Sequence, residues 1–327
     1  MSMPLPSLLA IIVLVFNTVL NAGERDIVVV ESYHTMYPWD RDWLMALRDS
    51  LVHYNLITFQ MDTKRLPKQH FSLRADTAWD IIKRVDPALI ILGDDNALSY
   101  LAARVGNSQY KAIYLGINSN PRKTGILKYK NITGVLERPL YRRSIIEMKK
   151  VLPEMKKALI MFDGSNTSKY AAEDLFQGHD SLAYSGVEIH LETTNNYERW
   201  KSVVLSAKEN GYDAVWVGLY FTVFDKQKHI DHRELLFWTS NNSKVPLFAL
   251  WDFAVGKQKT IGGYVMTGNS QGAAAGLLAQ QVLAGTLPKD ILPVIPEHGQ
   301  LIFSRHELTR WQLALPMDLQ VSAEFIE

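Results

Sequence analysis

The 327-residue chain contains no cysteine, which excludes a disulfide framework, a thiolate metal site and a cysteine nucleophile. It also lacks any long block of like charge. Thirty-five Lys and Arg stand against 34 Asp and Glu, and a phosphate-tracking surface needs clustered cations. Lys149, Lys150, Lys156 and Lys157 flank a turn and read as a solvated helix end, so no nucleic-acid partner is expected. Absent too are an H-E-x-x-H pair, a P-loop and a G-x-G-x-x-G fingerprint, which leaves zinc proteolysis and nucleotide binding without support. His229-x-x-His232 with Asp231 lies in a polar segment and reads as a solvated loop. No metal and no cofactor is expected, and neither a repeat of 20–50 residues nor a low-complexity tract occurs.

Only one long apolar run is present. Leu5 to Leu20 is broken by Pro6, Ser7, Asn17 and Thr18 and ends at Asn21-Ala22-Gly23, the form of a signal peptide over residues 1–22. The run is shorter than the roughly 20 apolar residues that cross a bilayer comfortably. Retention as an anchor is the other reading, because Lys and Arg are missing before the run and Leu20 would stand at the −3 position. No cysteine follows for lipid attachment, so the expected product is exported, soluble and periplasmic.

What remains is ordinary globular composition, 47% hydrophobic and 21% charged, in a chain long enough to divide into two compact lobes. Asp26 to Ser32 carries an Ile-Val-Val-Val core, a β-branched run suited to a parallel sheet buried on both faces. Trp43, Leu44, Leu47 and Leu51 then recur at helical spacing. The alternation continues with strands over 55–61, 88–92, 112–115 and 132–136 and helices over 77–85 and 97–105. It restarts with helices over 141–152, 168–184, 197–209 and 233–240 and strands over 157–162, 187–193, 214–218 and 246–250. A strand over 264–267, a helix over 271–283 and a strand over 301–303 follow. The pattern predicts an α/β fold of two doubly wound parallel-sheet lobes joined by a hinge.

Ile132-Thr133-Gly134-Val135, Val151-Leu152-Pro153, and Lys157–Phe162 followed by Asp163-Gly164-Ser165-Asn166 carry a family likeness by their order and spacing. So do Gly263-Tyr264, Leu283 to Pro288, Leu313-Ala314-Leu315-Pro316, and Ala323 to Glu327. The chain resembles the ABC-type substrate-binding proteins of the branch that includes tryptophan and tyrosine binders, with the type I periplasmic binding fold. The resemblance implies a first lobe from residues 24–137 plus about 267–288. The second lobe would take 138–266 plus about 289–327, and the crossovers would form the hinge. It implies a small-molecule ligand and an ABC permease as partner. A departure from the family pattern lies in the aromatic loop Tyr33, His34, Tyr37 and Trp39, and another in Asp94-Asp95-Asn96.

Ligands of open α/β sheets bind at the carboxyl ends of the strands, and those loops offer polar and aromatic groups from both lobes. The candidate ligand residues are Tyr33, His34, Trp39, Asp94, Asn96, Asn118, Asp163, Ser165, Tyr220, Trp251 and Asp252. Asp95 reads equally as the N-cap of a helix beginning at Ala97. Acids beside aromatic rings favour a ligand bearing an amine, amino-acid-like in character.

Gly268-Asn269-Ser270-Gln271-Gly272 has the form of a hydrolase nucleophile elbow. Acid and histidine should follow in order, and only His298 and His306 do, in a tail without a strand-end loop. The segment reads instead as a helix start capped by Asn269 or Ser270. The expected function is solute binding by a monomer, not catalysis. A membrane sensor kinase or cyclase is the alternative partner, and a serine hydrolase using Ser270 is the minor alternative.

Overall fold

The computed structural model describes residues 25–34, 36–296 and 299–327, and the expected signal segment lies outside them. Its first sheet holds β1 (Asp26–Glu31), β2 (Asn55–Gln60), β3 (Leu89–Gly93), β4 (Ala112–Ile117) and β5 (Ile132–Leu136). All five run parallel in the order β2-β1-β3-β4-β5. Alternate residues of β1 feed opposite cores: Ile27 and Val29 face one and Val28 and Val30 the other. That two-sided burial explains the unbroken β-branched run. Helices α1 (Pro38–Ser50), α2 (Phe71–Val85), α3 (Asp94–Gly106) and the short α4 (Pro121–Thr124) connect these strands.

The second sheet repeats the path. Helices α5 (Tyr141–Val151), α6 (Asn166–Phe176), α7 (Tyr197–Ser206) and α8 (His232–Asn242) alternate with β6 (Lys157–Phe162), β7 (Ser181–Tyr184), β8 (Val187–Thr193) and β9 (Ala214–Val217). A two-stranded ribbon, β10 (Phe224–Asp225) with β11 (Lys228–His229), precedes β12 (Leu247–Ala249) and β13 (Gly262–Val265). Helix α9 (Gly268–Leu283) leads to β14 (Gln300–Ser304), α10 (Arg305–Arg310), α11 (Met317–Ser322) and β15 (Ala323–Ile326). The sheet order is β15-β14-β13-β12-β9-β6-β8-β7. Its parallel centre, β8-β6-β9-β12-β13, has the topology of the first sheet; β7 adds an antiparallel edge on one side, and on the other β14 joins antiparallel with β15 parallel to it at the edge. Two doubly wound sheets linked in this way are the type I periplasmic binding fold.

The chain passes between the sheets after β5, again between β13 and α9, and finally ahead of β14. Before that last crossing it stays with the first sheet. Val294 bridges Val135 in parallel, and Thr133 Oγ1 donates to the Ile291 carbonyl at 2.8 Å.

Helix α9 returns to the first sheet and lies directly on α1. A Cβ added at Gly272 would stand 2.0 Å from the Trp43 carbonyl oxygen, and one at Gly268 would stand 2.8 Å from that of Trp39. The glycines of the elbow-like motif therefore serve backbone-to-backbone helix packing. Thr267, not Asn269 or Ser270, caps α9 through its side-chain oxygen, and the Ser270 hydroxyl donates to the Thr267 carbonyl at 2.8 Å.

Two further local differences from the sequence pattern have physical causes. The helix expected over 168–184 stops at Phe176, because Gln177 and Gly178 take left-handed conformations at φ 51° and 85°. Leu182 and Tyr184 beyond them alternate inward as strand β7. Helix α3 begins at Asp94 and not Ala97. The Ser32 hydroxyl accepts the Ala97 amide at 2.8 Å, which frees Asp95 to accept the amides of Asn118 and Ser119 at 3.2 and 2.9 Å. Asp95 is therefore no N-cap but a clamp on the loop after β4. No helix among the described residues is long and apolar enough to cross a membrane.

Candidate functional site

The carboxyl ends of the two sheets face each other across a cleft. At its centre lies a narrow cavity with a free volume of about 10 Å³, room for about one water or one ammonium group. Tyr33, Tyr37, Trp39 and Asp94 line it from the first lobe, Thr167, Leu219, Trp251 and Phe253 from the second, and Glu137 from the first crossover.

Each wall follows from its element. The α1–α9 glycine contact seats Trp39 and its neighbour Asp40. The Asp40 carboxylate accepts the Tyr33 amide and the Trp43 indole N–H, both at 3.2 Å, so the aromatic loop is folded onto the start of α1. The Tyr33 hydroxyl reaches across the cleft to Thr167 Oγ1 at 3.2 Å. Trp251 donates its indole N–H to Glu137 Oε1 at 2.6 Å, and Asn118 donates to the other oxygen at 2.9 Å. A lobe-two side chain is thus bonded to the hinge itself.

Asp94 is the unusual residue. It begins α3 at φ 68°, a left-handed conformation that Asp and Asn tolerate better than other side chains. Its carboxylate lies against Gly116, where a Cβ would stand 3.0 Å from Asp94 Oδ1 and 3.4 Å from Trp39 Nε1. Gly116 itself has φ 69°, so both backbone conformation and space require glycine there. Asp94 Oδ2 and Trp39 Nε1 are buried without a hydrogen-bond partner among the described residues. An unsatisfied buried acceptor and donor side by side are costly unless a guest supplies partners.

The electrostatics agree. Burial, followed by the charges of Asp40, Glu137 and Asp95, pushes the Asp94 carboxyl well above the usual range, and Lys64 offsets this only in part. Burial likewise raises Glu137 to about 8, against the hydrogen bonds from Trp251 and Asn118. Burial and mutual repulsion thus hold these acids in their neutral form in the empty cleft, and a neighbouring cation would favour their ionisation.

The structure brings Tyr33, Trp39, Asp94 and Trp251 together around this cavity, while His34 and Tyr220 line the wider groove at the cleft mouth. The other candidates hold the walls in place. Asn118 orients Glu137, and Asn96 donates to Thr63 at 2.8 Å, fixing the loop after β2. Asp163 accepts from Ser168 Oγ at 2.5 Å and from the Phe221 and Thr222 amides at 2.7 and 3.0 Å, which pins the loop carrying Leu219. Burial raises its pKa, but Lys64 and the serine hydrogen bonds prevail and the net shift is downward. Ser165 caps α6 and so presents Thr167. Asp252 binds the amide of Phe253 at 2.7 Å and does not line the cavity.

Glu137, Tyr37, Thr167, Leu219 and Phe253 were not among the residues expected from sequence. Glu137 had a signal, since it ends the strand at a lobe crossover; Thr167 and Leu219 had none, because small and aliphatic residues carry no chemical mark.

The chain belongs to the ABC transporter substrate-binding protein family, whose model matches residues 125–326. Members of this family take up a small molecule and serve a membrane transporter; it is not an enzyme family. No curated protein matches the chain by sequence. Among solved structures, the chain is similar to an ABC domain in complex with L-Trp from Streptococcus pneumonia, with TM-score 0.68 and 16% identity over 92% of this chain and 99% of that one. A conserved domain protein from Vibrio cholerae gives TM-score 0.69 and 12% identity over 93% and 100% of the two chains. The ligand-free, open form of a substrate-binding protein with adhesive properties from Clostridium difficile gives 0.65 and 12% over 93% and 99%. At these identities the likeness establishes the fold.

Proposed function

We propose that the protein is the periplasmic solute-binding component of an ABC-type transport system and closes its two lobes around a small, amine-bearing, amino-acid-like ligand. The observation that carries this reading is the pairing of an unpartnered, buried Asp94 carboxylate with the rings of Tyr33, Tyr37, Trp39 and Trp251. A neutral polyol can hydrogen-bond that group but cannot balance its charge, and an acid favours neither; an ammonium group pairs with the ionised form and lies against the rings. Hinge closure presses Thr167 and Phe253 onto the occupant, and the closed form is what a permease distinguishes from the empty one. The L-Trp complex of the structurally similar Streptococcus protein supports an amino-acid-like ligand, whereas another solute-binding protein of the same fold, from Bacillus halodurans, carries myo-inositol.

A thermal-shift panel tests the reading, because a ligand specific to the native state raises the midpoint by mass action. Amino acids and arylalkylamines should raise it by several degrees, with polyols and simple carboxylates inert. A shift with myo-inositol and none with any amine would reverse the assignment.

A further inference from the structure

The central cavity is not the whole cleft. Outside it, sharing Tyr37 and Phe253 as common walls, lies a groove of about 570 Å³, within the usual size of a small-molecule site. Its lips are apolar and strongly exposed, Met36 from the first lobe and Phe237 from the second. Its charge is the reverse of the inner cavity's. Lys64 and Arg65 face it from one lobe, and Arg233, Lys257 and Lys259 from the other. Arg65 is paired with Asp62 and Arg233 with Asp231. Lys64, Lys257 and Lys259 have no carboxylate within ion-pair distance among the described residues, and Asp231 is the one acid on the groove's wall.

Lys64 is the best placed of the three. Its ammonium lies 4.5 Å from the Tyr33 ring centroid, 5.4 Å from that of Tyr37 and 5.5 Å from that of Phe221 in the opposite lobe. The groove therefore holds cations of both lobes that lack an ion-pair partner among the described residues, a like-charge arrangement that an intervening anion relieves. The inner cavity cannot hold that anion, since Asp94 and Glu137 line it.

We infer that the ligand is dipolar with separated ends, its ammonium on Asp94 in the inner cavity, its acid group on Lys64 in the outer groove, and an apolar body between them against Tyr37 and Phe253. This rests on the amine reading above and narrows it, because an α-amino acid carries both charges on one carbon and cannot place them on opposite sides of the aromatic wall. Lys64 is then a specificity-determining residue, and the acid end of the ligand is what makes occupancy favour the closed cleft.

The experiment is calorimetric titration of the full chain with 4-(aminomethyl)benzoate, its isomer phenylglycine, benzylamine and benzoate. Wild type is compared with Lys64→Gln and Asp94→Asn. The isomer with separated ends should bind wild type at least 10-fold more tightly than phenylglycine. Lys64→Gln should remove that advantage while benzylamine affinity holds or rises, because Lys64 is a cation that offsets the charge on Asp94; retained benzylamine binding also shows the variant is folded. Equal or tighter binding of phenylglycine, no measurable binding of 4-(aminomethyl)benzoate, or the same loss for benzylamine in Lys64→Gln overturns the inference. Benzylamine binding that Asp94→Asn abolishes while Lys64→Gln changes nothing leaves the amine reading standing and removes only the dipolar one. Benzylamine binding indifferent to Asp94→Asn removes the amine reading itself.

Discussion

Replacing Asp94 by Asn should make the empty protein more stable and the ligand weaker. The amide keeps the size of the side chain and tolerates the left-handed backbone at φ 68°, so the substitution tests charge and not shape. In the empty protein the carboxyl is buried, has an unpartnered oxygen and faces Asp40 and Glu137. Relieving such a group should stabilise the empty protein, and the melting midpoint should rise by at least about 2 °C. In the bound state the same change removes a desolvated charge pair worth about 2–5 kcal/mol, a loss of roughly 30-fold to several thousand-fold in affinity. Differential scanning fluorimetry gives the first number and calorimetric titration with the tightest amine of the panel gives the second. A variant that melts lower than wild type while retaining full affinity would refute the argument, because Asp94 would then be a structural acid with a partner of its own.

Other consequences follow from the same geometry. Glu137, Glu31 and Asp252 are raised by burial to about 8, 7 and 7. Each contributes stability that is complete below its ordinary pKa and is lost as pH rises through the folded value. Half-buried His232, lowered to about 4 by desolvation, is already neutral above pH 6.5. The midpoint of the empty protein should therefore fall between pH 6.5 and 8.5 while amine affinity climbs; a flat profile for both contradicts the buried-acid site. Trp251→Phe removes the 2.6 Å bond to Glu137 and leaves a buried oxygen unpaired, costing about 1–3 kcal/mol, measurable by urea denaturation. Gly272→Ala drives a methyl group into the Trp43 carbonyl. The overpacking should cost about 1–3 kcal/mol and weaken ligand binding by shifting Trp39; unchanged stability would mean that α1 and α9 are not in close contact.

The fold was legible because hydrophobic period and loop length repeat twice along the chain. β5, β6 and β8 have the limits their apolar runs imply, and β1 ends one residue earlier than expected, at Glu31. The features that escaped are tertiary. β15 exists because β14 offers it an edge, and β7 depends on two left-handed residues that propensity does not mark. Of the site, the aromatic loop and Asp94 stood out as polar and aromatic groups at strand ends. Asp163 and Ser165 looked the same in sequence, yet their hydrogen bonds are spent on loop amides and a helix cap. Composition cannot tell a carboxylate that has partners from one that lacks them. The glycines of the 268–272 motif were visible, but their purpose needed the neighbouring helix, since only the approach of α1 distinguishes a packing seam from a catalytic turn.

The most direct test of the cleft as an amine site is a crystal structure of the full chain grown with the amine that scores highest in the thermal panel. The ligand nitrogen should lie within about 3.2 Å of Asp94 Oδ2, with Tyr33, Trp39 and Trp251 around it and both lobes closed. An occupant bound elsewhere on the protein, or one whose nitrogen points away from Asp94 into the outer groove, would contradict the account.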